Sequence, residues 1–263
     1  MQPHGCPKRT SLLSGVAIAI SFAVLPVGAR PASAVLVTSW DYTATMVFVS
    51  ANTTFTLGAG VPTVGPNAIT WGVPTSGGGP SAFRISNSPV SGIALTNGPP
   101  VAGPLSQIVD NPIANNSATL AQTTLQFALA LSPLVPALPG SVSLVADIPL
   151  AFAETPDIPP CLIASLNPCP DILVVVGGIP SAAFTFMGQP YVIQLVVPNL
   201  QPLPALACVA AAALAPCEGF ATEENGTIAD PDFRILRSPV PVPATLMVVG
   251  LGLLELRLAR HRR

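Results

Sequence analysis

Glu154, Asp157 and Asp171 place three carboxyl groups within eighteen residues. Two such acids about 5 to 9 Å apart are what glycoside hydrolysis needs, one to protonate the leaving group and one to act as base or nucleophile. Pro156, Pro159 and Pro160 lie among them, a context that favours turns over a shaped catalytic groove. Carboxylate-based hydrolysis is therefore the distant alternative, and no catalytic residue is assigned. A second acidic group, Glu223, Glu224, Asp230 and Asp232, surrounds the turn Asn225-Gly226-Thr227 and offers the hard oxygen ligands that calcium takes. Its spacing is not that of an EF-hand, so a solvated acidic loop is the simpler reading beside the calcium candidate. Trp40, Tyr42, Trp71 and Tyr191 present rings that could stack on a sugar, but their places on alternating strands assign them to the core.

Other chemistries are removed by what the body lacks. Between Val35 and Pro243 there is no lysine, and both histidines, His4 and His261, fall outside it. Ser-His-Asp and Cys-His nucleophiles, His-ligated zinc and lysine Schiff bases all need those residues. Arg84, Arg234 and Arg237 stand against eleven carboxylates in the same stretch, a formal charge of −8. Three arginines cannot supply the phosphate contacts that dominate nucleic-acid binding, so no nucleic-acid partner is expected. No cofactor is expected either. Arg84 is expected to pair with Asp41 or Asp110, a surface interaction contributing at most about 1 kcal/mol.

The elements that position these residues read as strands. Half of the chain is apolar and only 8% is charged, which argues against disorder. Gly and Pro recur every eight to twelve residues or so between apolar and polar alternations, the pattern of short antiparallel strands. Trp40, Tyr42, Ala44, Met46 and Phe48 make one face of a first strand, Trp40 to Val49. Asn52 to Leu57 and Ala68 to Gly72 follow as further strands. Leu125 to Leu131 and Val142 to Ile148 alternate in the same way around a Pro133–Gly140 turn and predict a hairpin. Ile172 to Val176 is a β-branched run suited to a central strand. Ala183 to Met187 is expected to turn at Gly188-Gln189 into Tyr191 to Val197. Ala207 to Ala215 is the one expected helix, confined by Pro204 and Pro216. The fold class is thus all-β, an antiparallel β-sandwich of jelly-roll or Ig-like kind with long Pro/Gly-rich loops, spanning 35–237. Cys161, Cys169, Cys208 and Cys217 are spaced for two local bridges, 161 to 169 and 208 to 217. A four-cysteine zinc site is the alternative.

The two ends read as addresses. Lys8 and Arg9 precede an apolar run from Leu12 to Val27 that ends at Ala32-Ser33-Ala34. This is the order of a signal peptide over 1–34, cut by signal peptidase after Ala34. In 238–263, Val240-Pro241-Val242-Pro243 leads into an apolar run from Ala244 through Leu246 to Leu254, and then Arg257, Arg260, Arg262 and Arg263. A helix spanning unaided needs about 20 apolar residues. A membrane crossing here requires Glu255 and Arg257 to reach an interface, which predicts a short, transient transmembrane helix. The arginines then stay cytoplasmic.

This tail resembles the PEP-CTERM sorting signal of exosortase-processed proteins in Gram-negative bacteria, with Val242 where that signal usually has Glu. An ordinary stop-transfer anchor is the alternative. Within the body, Trp40-Asp41-Tyr42, Thr70-Trp71-Gly72, Ile85 to Val90, Asn111-Pro112-Ile113 and Glu154-Thr155-Pro156 are similar to a PEP-CTERM subfamily named for a Thr-His-x-Asn motif. Ahead of Pro112-Ile113 stand Gln107, Ile108, Val109 and Asp110, so the Thr and His of that motif are replaced. The resemblance implies an inner-membrane precursor, processing by an exosortase-like enzyme, and delivery to the cell surface or the extracellular space. Together with the composition it predicts a non-enzymatic protein of biofilm or envelope structure, with extracellular polysaccharide as a partner. A calcium- or carbohydrate-binding module is the alternative.

Overall fold

The computed structural model describes residues 35–75, 77–155, 160–163, 169–222 and 232–237. The signal segment with Ala32 and Ala34, the whole tail 238–263, Asp157, and Glu223, Glu224 and Asp230 lie outside the described residues, as does the side chain of Asp232.

In chain order the strands are β1 (Ser39–Phe48), β2 (Thr54–Phe55), β3 (Thr63–Val64), β4 (Ala68–Trp71), β5 (Ser81–Ser86), β6 (Val90–Leu95), β7 (Val101–Ala102) and β8 (Leu105–Val109). There follow β9 (Leu120–Val135), β10 (Val142–Ala153), β11 (Asp171–Val175), β12 (Ser181–Phe186), β13 (Gln189–Val196) and β14 (Gln201–Pro202). A helix, α1 (Ala205–Ala210), then precedes β15 (Glu218–Thr222) and β16 (Asp232–Arg237). One sheet runs β14-β15-β11-β10-β9-β1-β6, with β2 also on β9; the others run β12-β13-β16-β7 and β3-β4-β5-β8.

The alternation in β1 dictates how these sheets pack. Trp40, Tyr42, Ala44, Met46 and Phe48 are all buried, and the intervening side chains face outward. The two ends of that row meet different partners. Trp40 packs edge-on against Tyr191 at 5.2 Å, and Tyr42 against Phe233 at 4.8 Å, both from the β12-β13-β16-β7 sheet. Phe48 meets Phe83 of β5 at 4.9 Å. The two smaller sheets thus share the inner face of the large one, in an all-β, sandwich-like arrangement with one continuous apolar core. Aromatic edge-to-face pairs of this kind add about 0.5 to 1.5 kcal/mol each beyond their burial.

The expected hairpin is present, with Leu125 opposite Ile148, Phe127 opposite Ala146 and Leu131 opposite Val142. On its outer face the Gln126 amide donates to the Asp147 carboxylate at 3.0 Å. β11 is buried on both faces, which explains its unbroken apolar run. Leu173 and Val175 join the main core, while Ile172 and Val174 face a second, small core made with Leu203, Ala207, Cys208 and Ala211.

Several elements differ from expectation. The segment from Asn52 forms only a 3-10 turn (Ser50–Asn52) and the two residues of β2, because the chain is already bonding to Val49 and Ser50 carbonyls. The β12-β13 turn sits at Met187-Gly188 rather than Gly188-Gln189; both have positive φ, 47° and 76°, and Gln189 already pairs with Phe186. The helix runs over Ala205–Ala210 and not Ala207–Ala215. Ala212 takes a φ of 54°, and the N–H groups of Ala212 and Ala213 turn back to Val209 and Cys208. That left-handed residue ends the helix three positions after Val209 despite its alanine propensity.

Candidate functional site

Three strand ends converge on one group of acids. Asp110 follows β8, Glu154 follows β10, and Asp171 opens β11. One carboxylate oxygen from each lies within 4.8 Å of the others. Asp110 and Asp171 are only 1% and 4% exposed, whereas Glu154 is half-buried. Uncompensated carboxylates would be costly here, and the protein answers with hydrogen bonds. The Thr155 N–H donates to Asp171 at 2.6 Å. The hydroxyls of Ser81 and Thr222 donate to the two oxygens of Asp110, each at 3.4 Å. Trp71 Nε1 donates to Glu154 at 3.4 Å. Asp171 and Asp110 are themselves hydrogen-bonded.

The electrostatics follow from that setting. Burial is the main cause that raises the Asp171 carboxyl from 3.8 to about 11, followed by the hydrogen bond with Asp110 and the charges of Asp110 and Glu154. The Thr155 N–H opposes the shift and does not overcome it. Asp171 is therefore a neutral acid at neutral pH, and its O–H is the donor that lets Asp110 stay beside it. The anticipated pairing of Arg84 with Asp41 or Asp110 does not form among the described residues. Arg84 projects from β5 into solvent, while Asp110 is enclosed. Arg234 instead donates to Gln194, and Arg237 to Gln189.

Beside the acids lies an open cleft of about 600 Å³ with a mixed polar and apolar lining that includes Glu154 and Thr155. Along it the 56–60 and 114–119 segments lie side by side, joined by backbone bonds. Thr56 N–H donates to Thr119 O at 2.9 Å, Ala59 N–H to Asn116 O at 2.7 Å, and Ala118 N–H to Ala59 O at 2.8 Å. The hydroxyls of Thr56 and Thr119 are bonded at 2.9 Å. Gly58 permits this approach, since a Cβ there would stand 2.3 Å from Ala118 N. Asn115 and Asn116 occupy the corners of a turn closed by Ser117 N–H to Ala114 O, and both are exposed.

Of the acids singled out as a hydrolytic pair, Glu154 and Asp171 do come together, and Asp157 lies outside the described residues. Asp171 is enclosed, so Glu154 is the member of the trio that reaches the cleft. The part of Asp110 in this group was not foreseen: it is 44 positions from Glu154 and arrives from another sheet. Trp40, Tyr42, Trp71 and Tyr191 are all buried, in keeping with core roles. The calcium candidates Glu223, Glu224 and Asp230 fall outside the described residues, and of Asp232 only the backbone is described. Cys161–Cys169 and Cys208–Cys217 are both disulfides, with S–S distances of 2.08 and 2.09 Å. Among the described residues no helix is long and apolar enough to cross a membrane; the segment 244–254 is not among them.

No protein-family model matches this chain, and no curated protein matches it.

Proposed function

We propose that this is an exported structural protein of the cell surface or extracellular matrix, delivered by its PEP-CTERM-like tail and without catalytic activity. The observation that carries the reading is the pair of local disulfides in a body that has no lysine or histidine. Such bridges persist in oxidising compartments, which agrees with a leader ending at Ala32-Ser33-Ala34. Export leaves an acidic domain, with signal peptidase acting at one end and an exosortase-like enzyme at the other. In the membrane-held precursor, Ala244 to Leu254 spans and Arg257 to Arg263 stays inside.

Mass spectrometry of the native protein tests the reading directly. The expected termini are Val35 and a cut near Val240 to Pro243. A chain intact from Met1 and recovered from the cytosol would overturn export. A C-terminus running to Arg263 would instead replace the sorting signal with a plain anchor.

Carbohydrate binding at the cleft beside Glu154 is the second reading, supported by the exposed Asn115 and Asn116 in its lining. Binding of oligosaccharides to the purified domain, followed by calorimetry, tests it.

A further inference from the structure

We propose that the α1 loop, from Leu203 to Pro216, docks on an uncharged lipid surface, with Leu206, Val209 and Leu214 entering the membrane interface. The contact belongs to the folded domain itself and depends neither on the tail nor on the route of export.

The helix is built inside out. Its small residues Ala207, Cys208 and Ala211 are buried in one cluster with Ile172 and Val174 of β11. Its larger side chains are left in solvent: Leu206 is 69% exposed and Val209 67%, and Leu214 just beyond the helix is 92% exposed. Single exposed apolar residues are ordinary, but three in one short loop mark an interaction surface. The loop cannot turn them inward. The Cys208–Cys217 bridge and the Leu203 N–H to Cys217 O bond at 3.0 Å hold it closed, and the buried side is already filled.

The chemistry of the loop selects lipid over a protein partner. Between Leu203 and Pro216 no side chain carries a charge, an amide or a hydroxyl. A stable protein interface surrounds its apolar centre with a polar rim and uses about 20 to 30 residues a side, more than this loop supplies. Lipid requires instead that peptide groups be satisfied internally. The N–H groups of Ala207 and Cys208 bond to Pro204 O at 2.9 and 3.1 Å, Ala212 to Val209 O at 2.9 Å and Ala213 to Cys208 O at 2.8 Å. Pro204 and Pro216 have no N–H to satisfy. Six helical residues rise about 9 Å, enough to reach the acyl boundary and not to cross. With no lysine or arginine in the loop, binding follows from apolar area and not from anionic headgroups.

The test is Leu206→Trp in the full-length, disulfide-bonded protein, mixed with phosphatidylcholine vesicles whose acyl chains are plain or brominated. Trp40 and Trp71 are buried and give a constant background. The added emission should shift to shorter wavelength on vesicles, and brominated lipid should remove at least half of it. Val209→Trp should behave alike and serves should Leu206→Trp fail to fold. Val145→Trp, at an exposed position of β10, should lose less than a tenth, which separates docking of the loop from tethering by the tail. Adding Leu214→Glu to Leu206→Trp should cut the quenching at least threefold. Quenching that is absent at Leu206 and Val209, or equal there and at Val145, overturns the docking surface. A shift that grows with protein concentration in the absence of vesicles overturns lipid in favour of a second copy of the chain, and neither result touches the export reading.

Discussion

Asp171, at the start of β11 in the large sheet, is hydrogen-bonded to Asp110, which follows β8 in a different sheet. The bond requires a proton, so the joint between the sheets depends on pH. Asp171 has a folded value raised to about 11 against an ordinary 3.8. Between those values the folded chain holds a proton that the unfolded chain has lost, and stability falls as pH rises. The contribution is fully present below 3.8 and is lost as pH climbs through the folded value. Thermal unfolding should therefore shift to lower temperature from pH 5 to pH 9. Asp171→Asn keeps an acceptor for the Thr155 N–H and a donor for Asp110, and should flatten that slope. A mutant whose Tm still falls with pH as steeply as that of the parent would refute the assignment to Asp171.

Tyr191 offers a test of the sheet-to-sheet contact that does not involve charge. Its ring packs against Trp40 and Phe184, and its hydroxyl accepts the Val37 N–H at 2.9 Å in a buried setting. Tyr191→Phe retains the ring contacts and strands that N–H. A loss of about 1 to 3 kcal/mol in urea unfolding is expected, with an unchanged m-value. A change below about 0.5 kcal/mol would mean that water or a neighbour replaces the hydroxyl.

Legibility in the sequence divides along the range of the interactions. The inward face of β1, the β9-β10 hairpin and the central position of β11 are written in alternation and turn residues, which are local signals. The two disulfides are legible for the same reason, since each closes a loop of fewer than ten residues. The carboxylate trio is only half legible. Glu154 and Asp171 share a stretch of sequence, but Asp110 joins them because the β8 sheet packs on the large sheet, and no periodicity records that docking. The cleft is less legible still. Asn115, Asn116 and Ser117 come to line it only because the 56–60 segment pairs beside them, an approach that Gly58, nearly sixty positions away, permits.

That dependence on Gly58 gives a further prediction. A methyl at this position would collide with backbone atoms of Ser117 and Ala118 at 2.3 Å, where no side chain can move aside. Gly58→Ala should push the 56–60 and 114–119 segments apart and lose the Ala59–Asn116 and Ala118–Ala59 bonds. A loss of about 1 to 3 kcal/mol is expected, together with faster amide exchange at Ala59 and Ala118. Unchanged exchange at both amides would show that the two segments are held by something other than this approach.

The Cys208–Cys217 bridge should matter more than its short loop alone suggests. Closing nine residues removes unfolded-state entropy worth about 2 to 3 kcal/mol. Cys208 is also a fully buried residue of α1, in one apolar cluster with Ala207 and with Ile172 and Val174 of β11. Leu206 and Val209 of the same helix are mostly exposed, so α1 has few other apolar contacts to hold it in place. Replacing both cysteines by alanine should lower stability by at least the loop term and accelerate proteolysis within 203–217 before global unfolding. The paired alanine change at Cys161 and Cys169 should leave cleavage within 203–217 at the parental rate. Equal protease susceptibility of α1 in both double mutants would show that β11 packing, and not the crosslink, retains the helix.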